Sequence, residues 1–213
     1  MNILEVEGLC KTYPAFQLRG VSFAVAPGTI MGFIGRNGAG KSTTIKSVLN
    51  LVHPDSGRVT MFGQDFYANE PACKQQLGVV LGGVDFYPNK KLRSITNVTR
   101  TFYDHWDENK YRHYLQLFAL DETKKVSQLS SGMRVKYMLA LALSHDARLL
   151  ILDEPVTGLD PASMQDLYKT LRYLNEREGM AIIMVTHDIE NALREAKHIL
   201  CIDLSLIHIS EPT

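Results

Sequence analysis

The sequence predicts an α/β fold built around a buried parallel sheet. Three short and almost continuously apolar runs, Ile30–Ile34, Leu149–Leu152 and Ala181–Val185, have the pattern of strands that are covered on both faces. Helical patterns alternate with these runs, as they do in parallel sheets that carry helices on their faces. With 213 residues, of which 45% are hydrophobic and 22% charged, the chain is long enough for one large globular domain or two small ones.

Shorter, half-buried strands are expected near the N-terminus. Ile3–Glu7 and Val21–Val25 alternate apolar with small or polar residues, and Pro27–Gly28 marks a turn before the first buried strand. A further strand is predicted at Arg58–Phe62, because it follows a turn-forming segment, His53–Gly57.

Two helices are predicted from their apolar faces. The first follows the strand Ile30–Ile34, continues as far as His53–Gly57, and should bury Ile45, Val48 and Leu49. The second begins at Asp160–Pro161, since proline suits the first helical position, and should bury Leu167, Leu171 and Leu174.

Residues from about 83 to 145 are expected to form a mainly helical insertion rather than a separate domain. Gly83–Lys125 is polar and aromatic, and it contains few buried-strand patterns. An aromatic cluster in it, partly at helical spacing, is predicted to be helix-packing core; its members are Phe102, Tyr103, Tyr111, Tyr114 and Phe118.

Charge, cysteine content and run lengths exclude several classes of protein. The 23 basic and 23 acidic residues cancel, so no overall attraction to nucleic acid or to an anionic membrane is expected. Three widely spaced cysteines fit neither a disulfide framework nor a zinc ribbon. The N-terminus lacks a signal-peptide pattern, and no apolar run approaches the roughly 18 residues of a membrane span. We therefore expect a cytosolic chain that does not itself cross a membrane.

A phosphate-binding loop is the strongest motif. Residues 35–43, GRNGAGKST, match the pattern GxxxxGK[ST] at every defined position, between a predicted buried strand and a predicted helix. Such a loop turns its backbone N–H groups toward a polyphosphate. The alternative is a glycine turn with Lys41 in solvent, but the buried strand before the loop and the amphipathic helix after it favour phosphate binding. Lys41 is expected to pair with the β- and γ-phosphates and Ser42 to bind Mg²⁺. The candidate nucleotide contacts are Gly35, Asn37, Gly38, Ala39, Gly40, Lys41, Ser42 and Thr43.

Two carboxylates follow the buried strand Leu149–Leu152. At the carboxyl end of such a strand Asp153 can hold Mg²⁺ and Glu154 can orient an attacking water molecule. Two acids at a strand end can also be simple surface carboxylates, but the phosphate loop upstream favours the catalytic interpretation.

Leu129–Met133, with the sequence LSSGM, resembles the LSGGQ signature of ATP-binding cassette (ABC) ATPases. In isolation a Ser-Ser-Gly sequence is most often a loop and helix N-cap, but this one lies between the phosphate loop and the two carboxylates. The resemblance implies that Ser130, Ser131 and Gly132 contact the γ-phosphate at the start of a helix. Ser131 and Met133 depart from the Gly and Gln of the family pattern, and we expect both changes to be tolerated.

Further family elements follow in the same order. Thr157–Asp160 resembles the D-loop, which crosses the dimer interface beside the nucleotide and makes Asp160 a nucleotide contact. Thr186-His187-Asp188 resembles the switch motif, which implies that His187 hydrogen-bonds the γ-phosphate and acts with Glu154 on the water. Tyr13 resembles the aromatic residue that stacks on adenine, although Phe16 is close by in the sequence.

One residue of the family pattern is absent. The family usually has a glutamine after the strand that here is Leu77–Leu81, but this sequence has Gly82 and Gly83, and Asp85 is the nearest polar residue. That glutamine touches Mg²⁺ and transmits the nucleotide state to the membrane subunit. We expect water or Asp85 to substitute for it in hydrolysis.

The resemblance covers residues 1–203. It implies a P-loop NTPase with a RecA-like parallel sheet flanked by helices, an N-terminal antiparallel β subdomain and the helical insertion. It further implies an ATP hydrolase of bacterial type, acting as a homodimer that binds ATP and Mg²⁺ and drives a separate transmembrane permease, with no nucleic acid partner. The implied location is cytoplasmic, at the inner face of the plasma membrane through that permease. The exposed aromatic residues of the insertion, with Asn89–Arg93, are the expected docking surface.

The subtype prediction is export. Lys91–Asp107 and Tyr111–Lys136 most resemble bacterial ATPases of multidrug, bacitracin-type or lantibiotic-type exporters, so a drug, peptide or antibiotic is the expected cargo. Gly179–Asp203 is also similar to metal-uptake ATPases, which leaves a metal-ion importer as an alternative. A non-transport ABC ATPase acting on ribosomes or DNA is a further alternative, although those proteins generally have two cassettes or a coiled-coil insertion. A nucleotide kinase or GTPase would share only the phosphate loop.

Two remaining predictions concern the other histidines and the C-terminal residues. His53, His105, His113 and His145 have no ligand spacing and are expected on the solvated surface. The last ten residues, Leu204–Thr213, do not continue the family pattern and resemble the in-frame translation of a transposase adapter used in sequencing libraries. We therefore expect a non-native tail, with a genuine amphipathic tail as the alternative.

Overall fold

The computed structural model describes residues 1–82, 87–188, 194, 196, 198–203 and 206–210, and within them ten strands and six α-helices have defined bounds. The strands are β1 (Leu4–Tyr13), β2 (Phe16–Val25), β3 (Ile30–Ile34), β4 (Ser56–Met61), β5 (Gln64–Asp65), β6 (Leu77–Leu81), β7 (Leu149–Asp153), β8 (Ala181–Val185), β9 (His198–Asp203) and β10 (Leu206–Ser210). The helices are α1 (Lys41–Val48), α2 (Glu70–Lys74), α3 (Leu92–Thr99), α4 (Glu108–Leu117), α5 (Ser131–Leu143) and α6 (Pro161–Glu178).

The N-terminal strands form a four-stranded antiparallel sheet in the order β2-β1-β4-β5. As the alternation in the sequence predicted, one face of this sheet is buried and the other is exposed. Strands β1 and β2 are longer than predicted, because their pairing continues past a register shift to Tyr13 and Phe16 and buries Leu9 and Leu18 on the way.

The predicted parallel sheet is present, with the strand order β10-β9-β3-β8-β7-β6. Strands β9, β3, β8, β7 and β6 run parallel, and β10 pairs antiparallel with β9 at the edge. Because side chains alternate along a strand, β8 sends Ile182 and Met184 into the core under the helices α5 and α6. Its other residues, including Ile183, belong to the core shared with the antiparallel sheet and α1. The sheet is therefore covered on both faces, and this is why its strands are apolar throughout.

Helix α1 is shorter than the sequence predicts. It ends at Val48 rather than at the segment His53–Gly57, because Asn50 adopts a left-handed backbone conformation (φ 55°) that closes the last turn. The predicted buried face of the helix is correct, since Ile45, Val48 and Leu49 are all buried.

Helices α3, α4 and α5 lie between β6 and β7 in the chain. Of the aromatic cluster expected in their core, Tyr111, Tyr114 and Phe118 are buried, but the Phe102 side chain is 69% exposed. The hydroxyl of Thr96 in α3 lies 2.8 Å from that of Tyr111 and 2.9 Å from that of Tyr137, so one buried hydrogen-bond cluster joins the three helices.

His145 is not on the surface, contrary to the sequence prediction. Its imidazole is only 2% exposed, stacks on Tyr103 at 3.8 Å between ring centroids, and lies 3.1 Å from the Gln75 carbonyl oxygen through Nδ1. Burial lowers the pKa of His145 to about 4. The sequence shows an isolated histidine, whereas the fold encloses it where the residues after α5 cross the start of β6.

Two further observations bear on the sequence predictions. None of the helices in the part of the chain that the structure describes is long and apolar enough to cross a membrane. Within the predicted non-native tail, the backbone of Leu206–Ser210 forms the edge strand β10, and the origin of this segment stays a prediction. Residues 204, 205 and 211–213 lie outside the described residues.

Candidate functional site

The candidate site lies where three neighbouring strands of the parallel sheet end. Strand β8 is hydrogen-bonded to β3 on one side and to β7 on the other, and all three run in the same direction. Their carboxyl ends therefore meet at one edge of the sheet. The loop 35–40 follows β3, Asp153 and Glu154 come at the end of β7, and Thr186 and His187 follow β8. The pairing of these strands thus brings together predicted site residues that are up to more than 140 residues apart in the sequence.

The side chain of Lys41 is hydrogen-bonded to the backbone of its own phosphate loop. Lys41, the first residue of α1, donates hydrogen bonds from Nζ to the carbonyl oxygens of Gly35 (2.8 Å) and Arg36 (3.3 Å), and only 6% of the residue is exposed. Gly38 and Gly40 have φ values of 83° and 103°, which side-chain-bearing residues adopt only with strain. Phosphate oxygens are stronger acceptors for an ammonium group than neutral carbonyl oxygens, so Lys41 is placed to exchange one for the other.

Ser42 and Asp153 form a set of oxygen atoms that fits Mg²⁺. The Ser42 hydroxyl donates to Oδ1 of Asp153 at 3.3 Å, and burial raises the pKa of the Asp153 carboxyl. A desolvated carboxylate beside a hydroxyl gains a counter-ion when a cation binds, and hard oxygen donors are the ligands that Mg²⁺ prefers. These two residues therefore suit the metal role predicted for them.

Glu154 and His187 contact each other directly across the ends of β7 and β8. Oε2 of Glu154 lies 2.7 Å from Nδ1 of His187, and the Thr157 hydroxyl donates to the same carboxylate oxygen at 3.4 Å. The backbone of Glu154 is left-handed (φ 50°), an uncommon conformation for a residue with a side chain. Its N–H donates to the Val185 carbonyl oxygen at 2.9 Å, which holds the strained turn in place.

One open cleft of about 740 Å³ joins these groups. It is lined by Asn37, Gly38, Gly40, Lys41, Ser42, Thr43, Glu154, Thr157 and His187, together with Ala15 and Phe16. Gly35 and Ala39 lie in the same loop, and the Ala39 N–H donates to the Arg36 carbonyl oxygen at 3.1 Å.

The aromatic residue at this cleft is Phe16 rather than Tyr13. Phe16 packs so closely on Gly40 that a Cβ atom at position 40 would lie 2.7 Å from its ring, whereas Tyr13 is 39% exposed and its ring centroid is 6.5 Å from that of Phe16. The adenine role of Tyr13 stays a prediction, and Phe16 becomes a second candidate. The sequence signal for it was its closeness to Tyr13, three residues earlier in the chain.

The signature-like segment and Asp160 lie outside the lining of this cleft. Ser130 caps the start of α5, where its hydroxyl accepts a hydrogen bond from the Met133 N–H at 3.2 Å, and Ser131 and Gly132 are the first residues of that helix. Asp160 caps α6 in the same way by accepting from the N–H groups of Ala162 and Ser163. A single chain therefore does not bring these residues to its own phosphate loop.

Gly82, where the family pattern has glutamine, has no room for a side chain. Its N–H donates to the Asp153 carbonyl oxygen at 2.7 Å, and a Cβ atom there would lie 2.5 Å from the backbone oxygen of Glu154. Glycine at this position lets β6 approach the strained turn at Glu154. Gly83 and Asp85, the latter proposed as a substitute for the glutamine, lie outside the described residues.

No group of three or more histidine, cysteine, aspartate or glutamate residues arranged to hold a metal occurs in the described residues. The Ser42–Asp153 pair is not a group of that kind. It provides two oxygen atoms, and oxygen atoms from outside the protein would complete the coordination shell of a bound Mg²⁺.

The chain matches a family model described as "ABC transporter" over residues 18–157. This span contains the phosphate loop, the signature-like segment, Asp153 and Glu154.

Curated relatives with similar sequences are ATP-binding proteins of transport systems. The bacitracin transport ATP-binding protein BcrA of Bacillus licheniformis is 32% identical over 201 residues, which are 93% of this chain and 66% of the relative. The Nod factor export ATP-binding protein I of Burkholderia pseudomallei is 37% identical over 86% of this chain and 61% of its own length. The spermidine/putrescine import ATP-binding protein PotA of Spiroplasma citri is 33% identical over 90% of this chain and 56% of its own. The chain thus spans less than two thirds of each of these relatives.

A solved structure, described as that of the ATP-binding subunit of an ABC transporter, superimposes on this chain with a TM-score of 0.86 at 27% identity. The match covers 98% of this chain and 90% of the other, so the predicted fold class is confirmed across both sheets and the helices between them.

Proposed function

Because this chain belongs to the ABC transporter family, we propose that it is the ATP-binding and ATP-hydrolysing subunit of a transporter. The observation that carries the proposal is the single cleft in which the phosphate loop faces the Glu154–His187 pair. A phosphate-binding loop alone would suit many nucleotide-binding proteins, but a carboxylate paired with a histidine opposite it suits hydrolysis.

Nucleotide binding would use the phosphate loop as a cradle. The N–H groups at the start of α1 would bind the triphosphate, and Lys41 would transfer its hydrogen bonds from Gly35 and Arg36 to phosphate oxygens. Ser42 and Asp153 would hold Mg²⁺, which supplies charge neutralisation on the phosphate oxygens when it is bound. Phe16 or Tyr13 would support the adenine ring by stacking.

Hydrolysis would depend on Glu154. Its carboxylate, held by the strained turn after β7, would orient a water molecule toward the γ-phosphate and accept its proton. The contact with His187 restrains the carboxylate, and the imidazole lines the same cleft as the phosphate loop. Positioning of this kind accounts for most of the catalysis in phosphoryl transfer to water.

A second copy of the chain would complete each site. Ser130, Ser131, Gly132 and Asp160 lie outside the cleft of their own subunit, so they are available to cover the nucleotide of a partner. The positive end of the helix dipole at the start of α5 suits a γ-phosphate that is held from the opposite side. In a symmetric homodimer each subunit would provide one phosphate loop and one signature-like segment.

The insertion would dock the membrane-spanning partner. A groove of about 460 Å³ runs along α3 and is lined by Tyr87, Lys90, Ser94, Ile95, Val98, Thr99 and Phe102. Tyr87 and Phe102 are each 69% exposed and Val98 is 59% exposed, which is an unusual concentration of apolar surface beside the expected docking segment Asn89–Arg93. We assign this groove to an amphipathic segment of the permease, with the cytoplasmic face of the membrane as the location of the complex.

Export of a drug, peptide or antibiotic is the direction we propose. The printed names of two relatives, for bacitracin transport and Nod factor export, support it, whereas the polyamine importer among the relatives favours import as the second candidate. Inverted membrane vesicles that contain this chain and its permease would separate the two. ATP-dependent uptake of cargo into such vesicles means export, and ATP-dependent loss means import.

The activity itself is tested on the purified chain with Mg²⁺ and ATP. We expect ATP turnover that is abolished by Lys41→Ala, while the control Lys46→Ala, at an exposed lysine of the same helix, retains it. Glu154→Gln should bind ATP without hydrolysing it and should elute as a dimer in size-exclusion chromatography with ATP. Turnover that persists in Lys41→Ala, or the absence of turnover together with the absence of an ATP-dependent dimer, would contradict the proposal.

A further inference from the structure

The first turns of α5 and α6 touch at Gly132 and Ser163. A Cβ atom at position 132 would lie 2.8 Å from Oγ and 3.0 Å from Cβ of Ser163, so glycine is what allows this approach. Gly132 belongs to the signature-like segment, and Ser163 is a residue to which the sequence patterns assign no role. The two helix starts are therefore in van der Waals contact at that segment.

Ser163 is bonded at the same time to Asp160. Its hydroxyl donates to Oδ2 of Asp160 at 2.6 Å, while Oδ1 accepts the N–H groups of Ala162 and Ser163 at 3.1 and 3.0 Å. The serine bond contributes most to lowering the pKa of the Asp160 carboxyl. One side chain thus connects the D-loop aspartate to the backbone of the signature-like segment.

A second contact lies one turn further along each helix. Lys136 of α5 forms an ion pair and hydrogen bond with Asp166 of α6. Together with the Gly132–Ser163 contact it joins α5 and α6 at two points about one helical turn apart.

We propose that Ser163 is a positioning residue that keeps Ser130–Gly132 in a fixed arrangement with Asp160. These segments would then approach the nucleotide of the partner subunit as one rigid unit rather than independently. This inference rests on the proposed function, because it concerns the same dimeric site. Ser163 does not line the cleft of its own subunit, so its effect is expected on dimer closure and not on the first binding of ATP.

The first test uses Ser163→Ala in a Glu154→Gln background, where ATP is not consumed. Asp160 still caps α6 in this variant, since its bonds to the two backbone N–H groups do not involve the hydroxyl. We expect ATP affinity, measured by equilibrium binding at a protein concentration where the chain is monomeric, to stay within about twofold. The dimer dissociation constant with saturating ATP, measured by analytical ultracentrifugation, should rise about tenfold, because segments that are no longer held together must be ordered at both sites when the dimer closes.

Thr170→Ala is the matched control. Thr170 is in the same helix, and its hydroxyl donates to the Asp166 carbonyl oxygen at 2.9 Å, so its bond remains within α6. We expect this variant to dimerise as the parent does. If Ser163→Ala and Thr170→Ala weakened dimerisation equally, the cause would be a general loss of stability in α6, and the inference would be overturned.

The second test asks whether the contact itself carries the effect. Gly132→Ala should weaken dimerisation by pushing against Ser163, and Ser163→Gly combined with it should recover part of the loss, since the opposing atoms are removed. Additive effects of the two changes would contradict the inference. If the parent chain forms no ATP-dependent dimer, the proposed function fails; if the parent dimerises and Ser163→Ala dimerises equally well, the inference alone fails.

Discussion

The Glu154 carboxylate lies 2.7 Å from Nδ1 of His187, and this contact determines what the imidazole can offer to a nucleotide. An ionised carboxylate only accepts hydrogen bonds, so Nδ1 carries the proton in this pair. In the neutral imidazole Nε2 then presents a lone pair, so it accepts rather than donates hydrogen bonds while the contact with Glu154 holds. In this arrangement His187 restrains the Glu154 carboxylate directly and does not donate a hydrogen bond to a phosphate oxygen.

Removal of either member of this pair should slow hydrolysis with little effect on binding. We expect Glu154→Gln to reduce the ATP turnover rate by about 10²–10⁴-fold, as is usual for a group that acts in proton transfer. His187→Ala should reduce it by about 10²-fold, because the Glu154 carboxylate loses the contact that positions it. ATP affinity should change by less than about threefold, because the phosphate loop is intact. His53→Ala, at an exposed histidine, is the control, and an unchanged turnover rate in His187→Ala would remove that residue from the mechanism.

A side chain at position 82 should disturb the turn that holds Glu154. Gly82→Ala would place Cβ 2.5 Å from the Glu154 backbone oxygen and 2.8 Å from that of Asp153, and backbone at both sites has little freedom to move. We expect a loss of about 1–3 kcal/mol in the free energy of unfolding, measured by urea denaturation, and slower hydrolysis. Gly82→Gln, which introduces the residue of the family pattern, should be at least as harmful. Wild-type stability in either variant would contradict this.

The hydroxyl of Thr96 should contribute to stability through the buried cluster that joins α3, α4 and α5. Thr96→Val keeps the shape of the side chain but removes the partner of the Tyr111 hydroxyl and one partner of the Tyr137 hydroxyl. We expect a loss of about 1–3 kcal/mol in the free energy of unfolding, since a buried hydroxyl is left unpaired. Ser94→Ala, at an exposed position of the same helix, should cost less than about 0.5 kcal/mol. Equal effects of the two changes would contradict the assignment.

His145 should make the fold sensitive to mild acid. Burial lowers its pKa to about 4 from an ordinary value of 6.5. Between these values the unfolded chain binds a proton that the folded chain does not, so stability is full above about pH 6.5 and falls as the pH drops toward 4. For a shift of this size we expect about 2 kcal/mol of the free energy of unfolding to be lost between pH 7 and pH 5.

The variant His145→Phe tests this assignment, because it keeps an aromatic ring against Tyr103 but cannot titrate. Its free energy of unfolding, measured by urea denaturation across the same range, should fall less steeply with decreasing pH than that of the wild-type chain. His105→Phe, at an exposed histidine, serves as the comparison. Parallel curves for the wild-type chain and His145→Phe would show that another group causes the acid sensitivity.

The sequence pattern predicted strands and helices correctly where their formation depends mainly on residues close by in the chain. The ranges Ile30–Ile34, Leu77–Leu81 and Ala181–Val185 agree with the observed strands, since a strand buried on both faces must be apolar along its length. The predicted end of α1 was wrong, because Asn50 adopts a left-handed backbone conformation and terminates the helix before the stronger turn signal at His53–Gly57.

Predictions that depended on distant neighbours were less successful. His145 is buried because Gln75 and Tyr103, some 40 to 70 residues earlier in the chain, close around it. Tyr13 and Phe16 are equally plausible partners for adenine in the sequence, and only the packing of Phe16 on Gly40 distinguishes them. The contact between Gly132 and Ser163 has no sequence signal, because it depends on how two helices cross.

The sequence by itself determined which chemical groups this protein has and the order in which they come: a glycine-rich loop with Lys41 and Ser42, a carboxylate pair after a buried strand, and a histidine after the next. Each of these motifs is a short continuous segment, so its residue types and spacing can be recognised in the sequence alone. Only the tertiary structure decided which groups meet, because adjacency depends on the strand order that places β8 between β3 and β7. The same pairing brings Glu154 to His187, whereas Ser130–Gly132 and Asp160 lie outside the lining of the cleft of their own chain.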